Sequence, residues 1–172
     1  MRAFFAAAFW LVVRVSGAQA DSGDWPELTD TANSTGARAA AEWVEARCSN
    51  ILGLVPRLSP AEDTWLQGEL DAKRDLSNLM LRPEYAKRVL FVHFYTCKNL
   101  AHQAAVEKTE KARVMAWVGL TSRFVLGSEL EFHLKRIKSR DLSEAAEPFI
   151  KWEHLNSSDI LDNIVLPYLR DH

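Results

Sequence analysis

Residues 83–103, which read PEYAKRVLFVHFYTCKNLAHQ, are the stretch that decides the fold of this chain. An apolar seam runs through this stretch and one residue beyond it, at Ala86, Leu90, Phe94, Cys97, Ala101 and Ala104. Steps of four and three residues place such side chains on one face of a helix. Taken alone, residues 89–97 are β-branched and aromatic, which is also typical of a buried strand. Because the flanks contain helix formers and no turn residues, we predict a central buried helix, with the strand as the alternative.

The first twenty residues have the features of a secretory signal peptide. Arg2 precedes an apolar run over residues 3–13, and the AQA triplet at positions 18–20 matches a cleavage site. The run is shorter than the roughly 20 residues that span a bilayer, so an uncleaved anchor is the weaker alternative. Polar residues interrupt the next most apolar segment, residues 114–126. We therefore predict that residues 1–20 are removed and that the mature chain, without a transmembrane span, is periplasmic or secreted. The alanine-rich leader favours a bacterial source.

The rest of the chain is predicted to fold as an all-α protein, an irregular bundle of about five to seven helices. Residues 21–36, rich in Asp, Ser, Thr, Asn and Gly, are predicted to form a flexible N-terminal arm, and residues 37–172 a single helical domain. The clearest helix start is a capping box, with Ser59 as N-cap, Pro60 at the first helical position and Glu62 at the third. The predicted helices cover residues 37–55, 59–81, 83–103, 107–126, 129–138, 143–154 and 158–169.

Three details of the second half carry expectations of their own. Ser128 and Glu131 offer a second capping box, although alternating apolar residues in 130–134 leave a short strand as the alternative. Ser143 and Ser158 are the predicted N-caps of the last two helices. Pro167 is expected to kink or end the final one.

The two cysteines predict a disulfide. An exported chain meets an oxidising compartment, and Cys48 lies in a helical seam of its own with Ala41, Val44, Ile51 and Val55. A Cys48–Cys97 bridge would join the first helix to the central one. Two buried free thiols are the alternative, and a redox-active pair is disfavoured because the Cys-x-x-Cys spacing is absent from the sequence.

Charge is modest in total but uneven along the chain. The formal net charge is −2 for the full sequence, with 21 basic and 23 acidic residues, and removing Arg2 and Arg14 with the leader makes it −4. An acidic chain is a poor general partner for nucleic acid. Residues 106–140 carry eight basic and four acidic side chains, whereas residues 141–172 carry two and seven. The sequence thus has a basic segment followed by an acidic tail.

The most suggestive surface feature is the basic patch formed by Lys135, Arg136, Lys138 and Arg140. Cations are favoured at a helix C-terminus by about 0.3–1 kcal/mol each, which explains the cluster structurally. The functional interpretation is an anionic partner, such as a lipid head group, a cell-wall polymer or an acidic protein surface. Pairing with the acidic tail is the third alternative.

Catalytic and metal signatures are missing from the sequence. His93 with Cys97, and Glu129 with His133, lie one helical turn apart, but each pair supplies only two ligands. The sequence has no phosphate-binding glycine loop, nucleophile elbow or covalent haem motif. We therefore predict no metal site, no cofactor and no catalytic residues.

These observations predict an exported helical protein that acts as a non-catalytic binding or interaction module of the cell envelope, with a protein or an anionic envelope component as its partner. One alternative is a cell-envelope hydrolase whose acidic pair the sequence does not assemble. The other is a carrier of a small apolar ligand, using space between Trp117, Phe94 and Tyr95.

Overall fold

The fold is known from a computed structural model, which describes residue 28 and residues 31–72, 76–124 and 127–172. The predicted signal peptide, residues 1–20, and the beginning of the predicted arm lie outside the described residues. The helices are α1 (Thr35–Leu54), α2 (Pro60–Asp71), α3 (Leu76–Met80), α4 (Pro83–Val106), α5 (Glu110–Phe124), α6 (Gly127–Ile137), α7 (Arg140–Ile160), a π-helical turn (Leu161–Val165) and α8 (Leu166–Asp171). Every regular element in these ranges is helical, so the predicted all-α fold is confirmed.

Helix α4 is the centre of the bundle, and the strand alternative for residues 89–97 is wrong. Helix α4 contacts α1, α2, α3, α5 and α6, and all six residues of its predicted seam are buried. The helix begins at Pro83, where the missing amide proton costs nothing because the first helical N–H groups have no partner inside the helix. The helix-forming flanks therefore predicted the structure of residues 89–97 correctly, whereas the β-branched and aromatic composition of these residues did not.

Helices α1 and α4 form the most extensive pair in the bundle and run antiparallel. Two contacts define the direction: Cys48 is disulfide-bonded to Cys97, with Cα atoms 6.1 Å apart, and Glu45 pairs with His102 at 3.2 Å. Because lower residue numbers on α1 contact higher residue numbers on α4, the two helices run in opposite directions. The predicted Cys48–Cys97 disulfide is confirmed.

Helix α1 begins earlier than predicted, and the chain before it touches the core. Ser34 is its N-cap, with its side chain accepting a hydrogen bond from the Ala37 amide at 3.1 Å. Ala32 is buried and Leu28 packs against the core, so the described part of the predicted arm is in contact with the helical domain.

The long helix predicted over residues 59–81 is divided in two. The capping box of Ser59 and Glu62 is present as predicted, but α2 ends at Asp71 and α3 covers only Leu76–Met80. Each of these helices buries one large side chain, Leu66 and Leu79, so this part of the chain has a much smaller share of the core than α4 does.

The predicted boundaries in the tail are wrong. Ser139 is the N-cap of α7, and its side chain accepts from the Leu142 amide at 3.4 Å. Ser143 and Ser158, the predicted caps, lie inside α7. Once Ser139 has started the helix, buried residues recur at helical spacing from Leu142 to Glu153, and the helix continues to Ile160. The later serines are therefore polar residues within it. Ser128, predicted to cap the helix that follows it, lies inside α6, which already begins at Gly127.

Pro167 does not end the helical run, since it lies in the first turn of α8, directly after a π-helical turn. The Leu166 amide donates to the Leu161 carbonyl, five residues back, and the chain remains helical to Asp171. A proline inside an α-helix has no N–H and clashes with the carbonyl four residues back, and the wider π-turn relieves that clash. None of the described helices combines the length and apolar character required to cross a bilayer.

Candidate functional site

An open groove of about 780 Å³ lies beside the N-terminal half of α4. We call it the α4 groove. One wall is the solvent-facing side of α4, and the other is the connection between α1 and α2 with the first turn of α2. Its lining residues are Pro56, Arg57, Leu58, Pro60, Asp63, Lys87, Arg88, Phe91 and Val92. The groove therefore combines three cations, one carboxylate and an apolar floor within the described residues.

Helix α2 is attached to α4 by ion pairs along one side of this groove. Lys87 donates to Glu62 at 2.8 Å, and Arg88 donates to Asp63 at 2.5 Å and to Gln67 at 3.0 Å. The hydrogen bond from Lys87, with further ones from Ser59, lowers the pKa of Glu62 to about 2. The charges of Lys87 and Arg88 are thus compensated, although their aliphatic stems still line the groove.

Arg57 is the groove cation without a carboxylate partner in the described part of the chain. Its guanidinium carbon lies 5.5 Å from the centroid of the Phe91 ring. The Phe91 ring is nearly parallel to that of Tyr95, with 5.9 Å between their centroids, and the Tyr95 side chain is half exposed. One turn of α4 therefore presents an aromatic surface with a cation stacked at its edge.

A second, smaller depression of about 330 Å³ lies on the other side of Arg88, and we call it the Arg123 pocket. Arg88 and Val92 line both depressions. The lining residues of the Arg123 pocket are Leu70, Tyr85, Arg88, Val89, Val92, His93, Arg123, Glu129 and Leu130. Its walls come from four helices, α2, α4, α5 and α6.

Behind this pocket lies a buried histidine and glutamate pair that the sequence analysis missed. His93 Nε2 is 3.8 Å from Glu153 Oε1, and the two side chains are 3% and 0% exposed. Neither carboxylate oxygen of Glu153 has a hydrogen-bond partner among the described residues. Burial raises the pKa of Glu153, and His93 only partly opposes that rise. A signal was present in the sequence, since Glu153 continues the seam of Leu142, Ala146 and Phe149 at helical spacing.

His133 is a second histidine buried without hydrogen bonds to the described chain. Its Nε2 atom lies 3.8 Å from Glu129 Oε1, beyond hydrogen-bond distance, and its ring packs beside Tyr85. Burial lowers the pKa of His133 despite the nearby carboxylate. His133 therefore fills space in the core as a neutral ring.

Among the described residues, neither of the two pairs considered as metal ligands gains a third ligand. Cys97 is consumed by the disulfide, which removes it as a partner for His93. Across the described ranges, no three histidine, cysteine or carboxylate side chains lie together in a way that could hold a metal ion.

The predicted basic patch lies at the turn between α6 and α7. Lys135 and Arg136 are in the last turn of α6, where the helix dipole favours them. Arg136 lies over the Phe132 ring at 4.8 Å, and Arg140 pairs with Glu144 at 2.6 Å. Lys138 has a φ of 54° and forms the turn itself. None of the four residues lines the α4 groove or the Arg123 pocket.

The residues predicted to enclose an apolar ligand do not surround a common space. Trp117 and Phe94 are fully buried in the core, whereas Tyr95 faces solvent on another side of α4.

The α4 groove and the Arg123 pocket are each lined by one carboxylate among the described residues, Asp63 and Glu129 respectively.

Comparison with known proteins gave no relative from which a role could be transferred. Neither the family models nor the curated proteins nor the solved structures contain a match to this chain.

Proposed function

We propose that this protein is an exported, non-catalytic binding module of the cell envelope and that it holds an anionic partner in the α4 groove. The observation that supports this proposal is the position of Arg57, an exposed cation without a carboxylate partner in the described chain, on the edge of an aromatic surface. An anionic group of the partner would pair with Arg57, while an apolar part of the partner would cover Phe91 and Val92. The groove volume of about 780 Å³ falls within the range of ligand-binding clefts.

Export is the second half of the proposal. It is supported by the signal-peptide pattern of residues 1–20 and by the Cys48–Cys97 disulfide, a bond that persists in oxidising compartments. Intact mass spectrometry of protein recovered from the periplasm or the medium tests it, since the mass should correspond to a chain that starts at Asp21.

Binding is preferred to hydrolysis because of how the carboxylates are distributed. A glycosidase needs two acids that both reach the substrate, and each of the two depressions is lined by one among the described residues. Glu153 is fully buried, so a polymer in either depression would not contact it.

The test uses isothermal titration calorimetry to measure the binding of two anionic polymers, polyglutamate and heparin, to the purified protein. Replacing Arg57 with glutamine should weaken binding by about tenfold, because one charge-assisted contact is lost. The matched control is Arg136→Gln, which removes an exposed cation stacked on Phe132 in the predicted basic patch and should leave the affinity unchanged. If Arg136→Gln weakens binding and Arg57→Gln does not, the patch and not the groove holds the partner, and the proposal is wrong.

A further inference from the structure

The Arg123 pocket holds two opposite charges that do not neutralise each other. Arg123, in the last turn of α5, makes no ion pair or hydrogen bond with the described residues. Glu129, in the first turn of α6, has His133 as its nearest charged or titratable neighbour, at 3.8 Å, beyond hydrogen-bond distance. Each charge is favoured by its own helix end, Arg123 by the C-terminus of α5 and Glu129 by the N-terminus of α6. Both side chains can therefore face one pocket while remaining available to a ligand.

The second cation that lines the pocket, Arg88, is already engaged. Its two terminal nitrogens donate to Gln67 and Asp63 of α2. Among the described residues, the pocket therefore offers a ligand one unpaired positive group, Arg123, and one negative group, Glu129.

Between the charges the pocket is apolar. Leu70, Val89, Val92 and Leu130 come from three different helices and leave about 330 Å³ between them. This volume is near the lower limit for ligand sites, which suits one small molecule with a single branched side chain.

We propose that the Arg123 pocket binds a free apolar α-amino acid. The ligand carboxylate pairs with Arg123, its ammonium group pairs with Glu129, and its side chain packs on the apolar walls. This site adjoins the α4 groove at Arg88 and Val92, but its ligand contacts Arg123 and Glu129, which do not line that groove, so the proposal does not rest on the function proposed for the groove.

The direct test compares three ligands that differ only in their charged groups, using isothermal titration calorimetry on the unaltered protein. They are L-leucine, 4-methylpentanoate, which lacks the ammonium group, and 3-methylbutylamine, which lacks the carboxylate. L-leucine should bind about tenfold or more tightly than either of the others, because each deletion leaves one charged side chain without its partner.

Two variants assign the contacts to residues. Arg123→Gln should reduce the affinity for L-leucine to that for 3-methylbutylamine without changing the amine's own affinity. Glu129→Gln should reduce the affinity for L-leucine to the affinity for 4-methylpentanoate. Arg136→Gln, which alters an arginine outside the pocket, is the matched control and should change none of the three affinities.

Two results would overturn the proposal. One is the absence of L-leucine binding at millimolar concentration. The other is equal affinity for L-leucine and 4-methylpentanoate, which would make the pocket a site for an apolar carboxylate. Because both results come from the unaltered protein, they do not depend on whether the variants fold. Polymer binding in the α4 groove is measured separately, so one site can fail without the other.

Discussion

At the scale of single residues, Glu153 is the group whose surroundings conflict most with its charge. Its carboxylate is fully buried, its oxygens lack hydrogen-bond partners in the described chain, and His93 approaches it only to 3.8 Å. Burying a charge without good hydrogen bonds is unfavourable, so the group is driven towards its neutral form. The raised pKa of Glu153 expresses this conflict.

The pH dependence of stability follows from the direction of that shift. A carboxyl whose pKa is higher in the folded state than in the unfolded state contributes stability that is fully present below its unfolded pKa. That contribution is lost as the pH rises through the folded pKa. Glu153→Gln, which imitates the neutral acid, should therefore raise the free energy of unfolding by about 1–3 kcal/mol at pH 8. Near pH 4 the variant and the natural protein should be roughly equal in stability.

Urea unfolding at several pH values measures this difference. Glu147→Gln, an exposed change on the same helix, is the control and should have no such effect. A loss of stability in Glu153→Gln at pH 8 would show instead that Glu153 and His93 form a stabilising ion pair.

The buried charge could have been suspected from the sequence, but its partner could not. Glu153 occupies a seam position of α7, which periodicity reveals. His93 lies sixty residues earlier on α4, and the two side chains meet only in the folded bundle. Spacing along one helix contains no information about that kind of contact.

At the scale of elements, the covalent link between α1 and α4 is the strongest single constraint. The bonded cysteines are 49 residues apart in sequence, and the bond joins the two helices that pack most extensively. In the chain-entropy model, closing a loop of about 50 residues stabilises the folded state by about 4 kcal/mol.

Replacing both cysteines with alanine should therefore lower the free energy of unfolding by about 4 kcal/mol. Both must be replaced together, since a single change would leave a buried free thiol. Urea unfolding measures the loss, and treating the natural protein with dithiothreitol provides a comparison with the same sequence. A change below about 1 kcal/mol would mean that the unfolded chain is already restricted in this region.

Helix starts were predictable where the local signals agreed with one another. Ser59, Pro60 and Glu62 all indicate the same start, and α2 begins there. Ser143 and Ser158 were isolated signals, and both lie inside α7, whose buried residues begin at Leu142 and end at Ile160. A serine can cap a helix only where the helix is about to start, and tertiary packing decides where that is.

At the scale of the whole molecule, the two candidate sites lie outside what sequence patterns could reveal. The α4 groove combines residues 56–63 with residues 87–92, and the Arg123 pocket combines parts of four helices. The basic patch was visible because its four residues are adjacent in sequence. A concave site has no such signature, since it depends on the angles between helices rather than on the order of residues.

Stability should be distributed unevenly over the molecule, with α2 and α3 as its weakest part. Of their large side chains, only Leu66 and Leu79 are buried. The ion pairs that connect α2 to α4 are partly exposed, and such pairs are worth about 0.2–1 kcal/mol each. By contrast, α4 buries eight residues and holds one end of the disulfide. Since α2 contributes residues to both the α4 groove and the Arg123 pocket, its opening would enlarge both sites together.

Hydrogen exchange, measured by mass spectrometry, tests this distribution of stability over the helices. Amides of α2 should exchange at least about tenfold faster than those in the middle of α4, because local opening costs less than unfolding the core. Ligands that bind in either depression should slow exchange in α2, since they contact α2 and α4 at once. Exchange that is as slow in α2 as in α4 would mean that the whole bundle opens as one unit, and the two sites would then be rigid features of the surface.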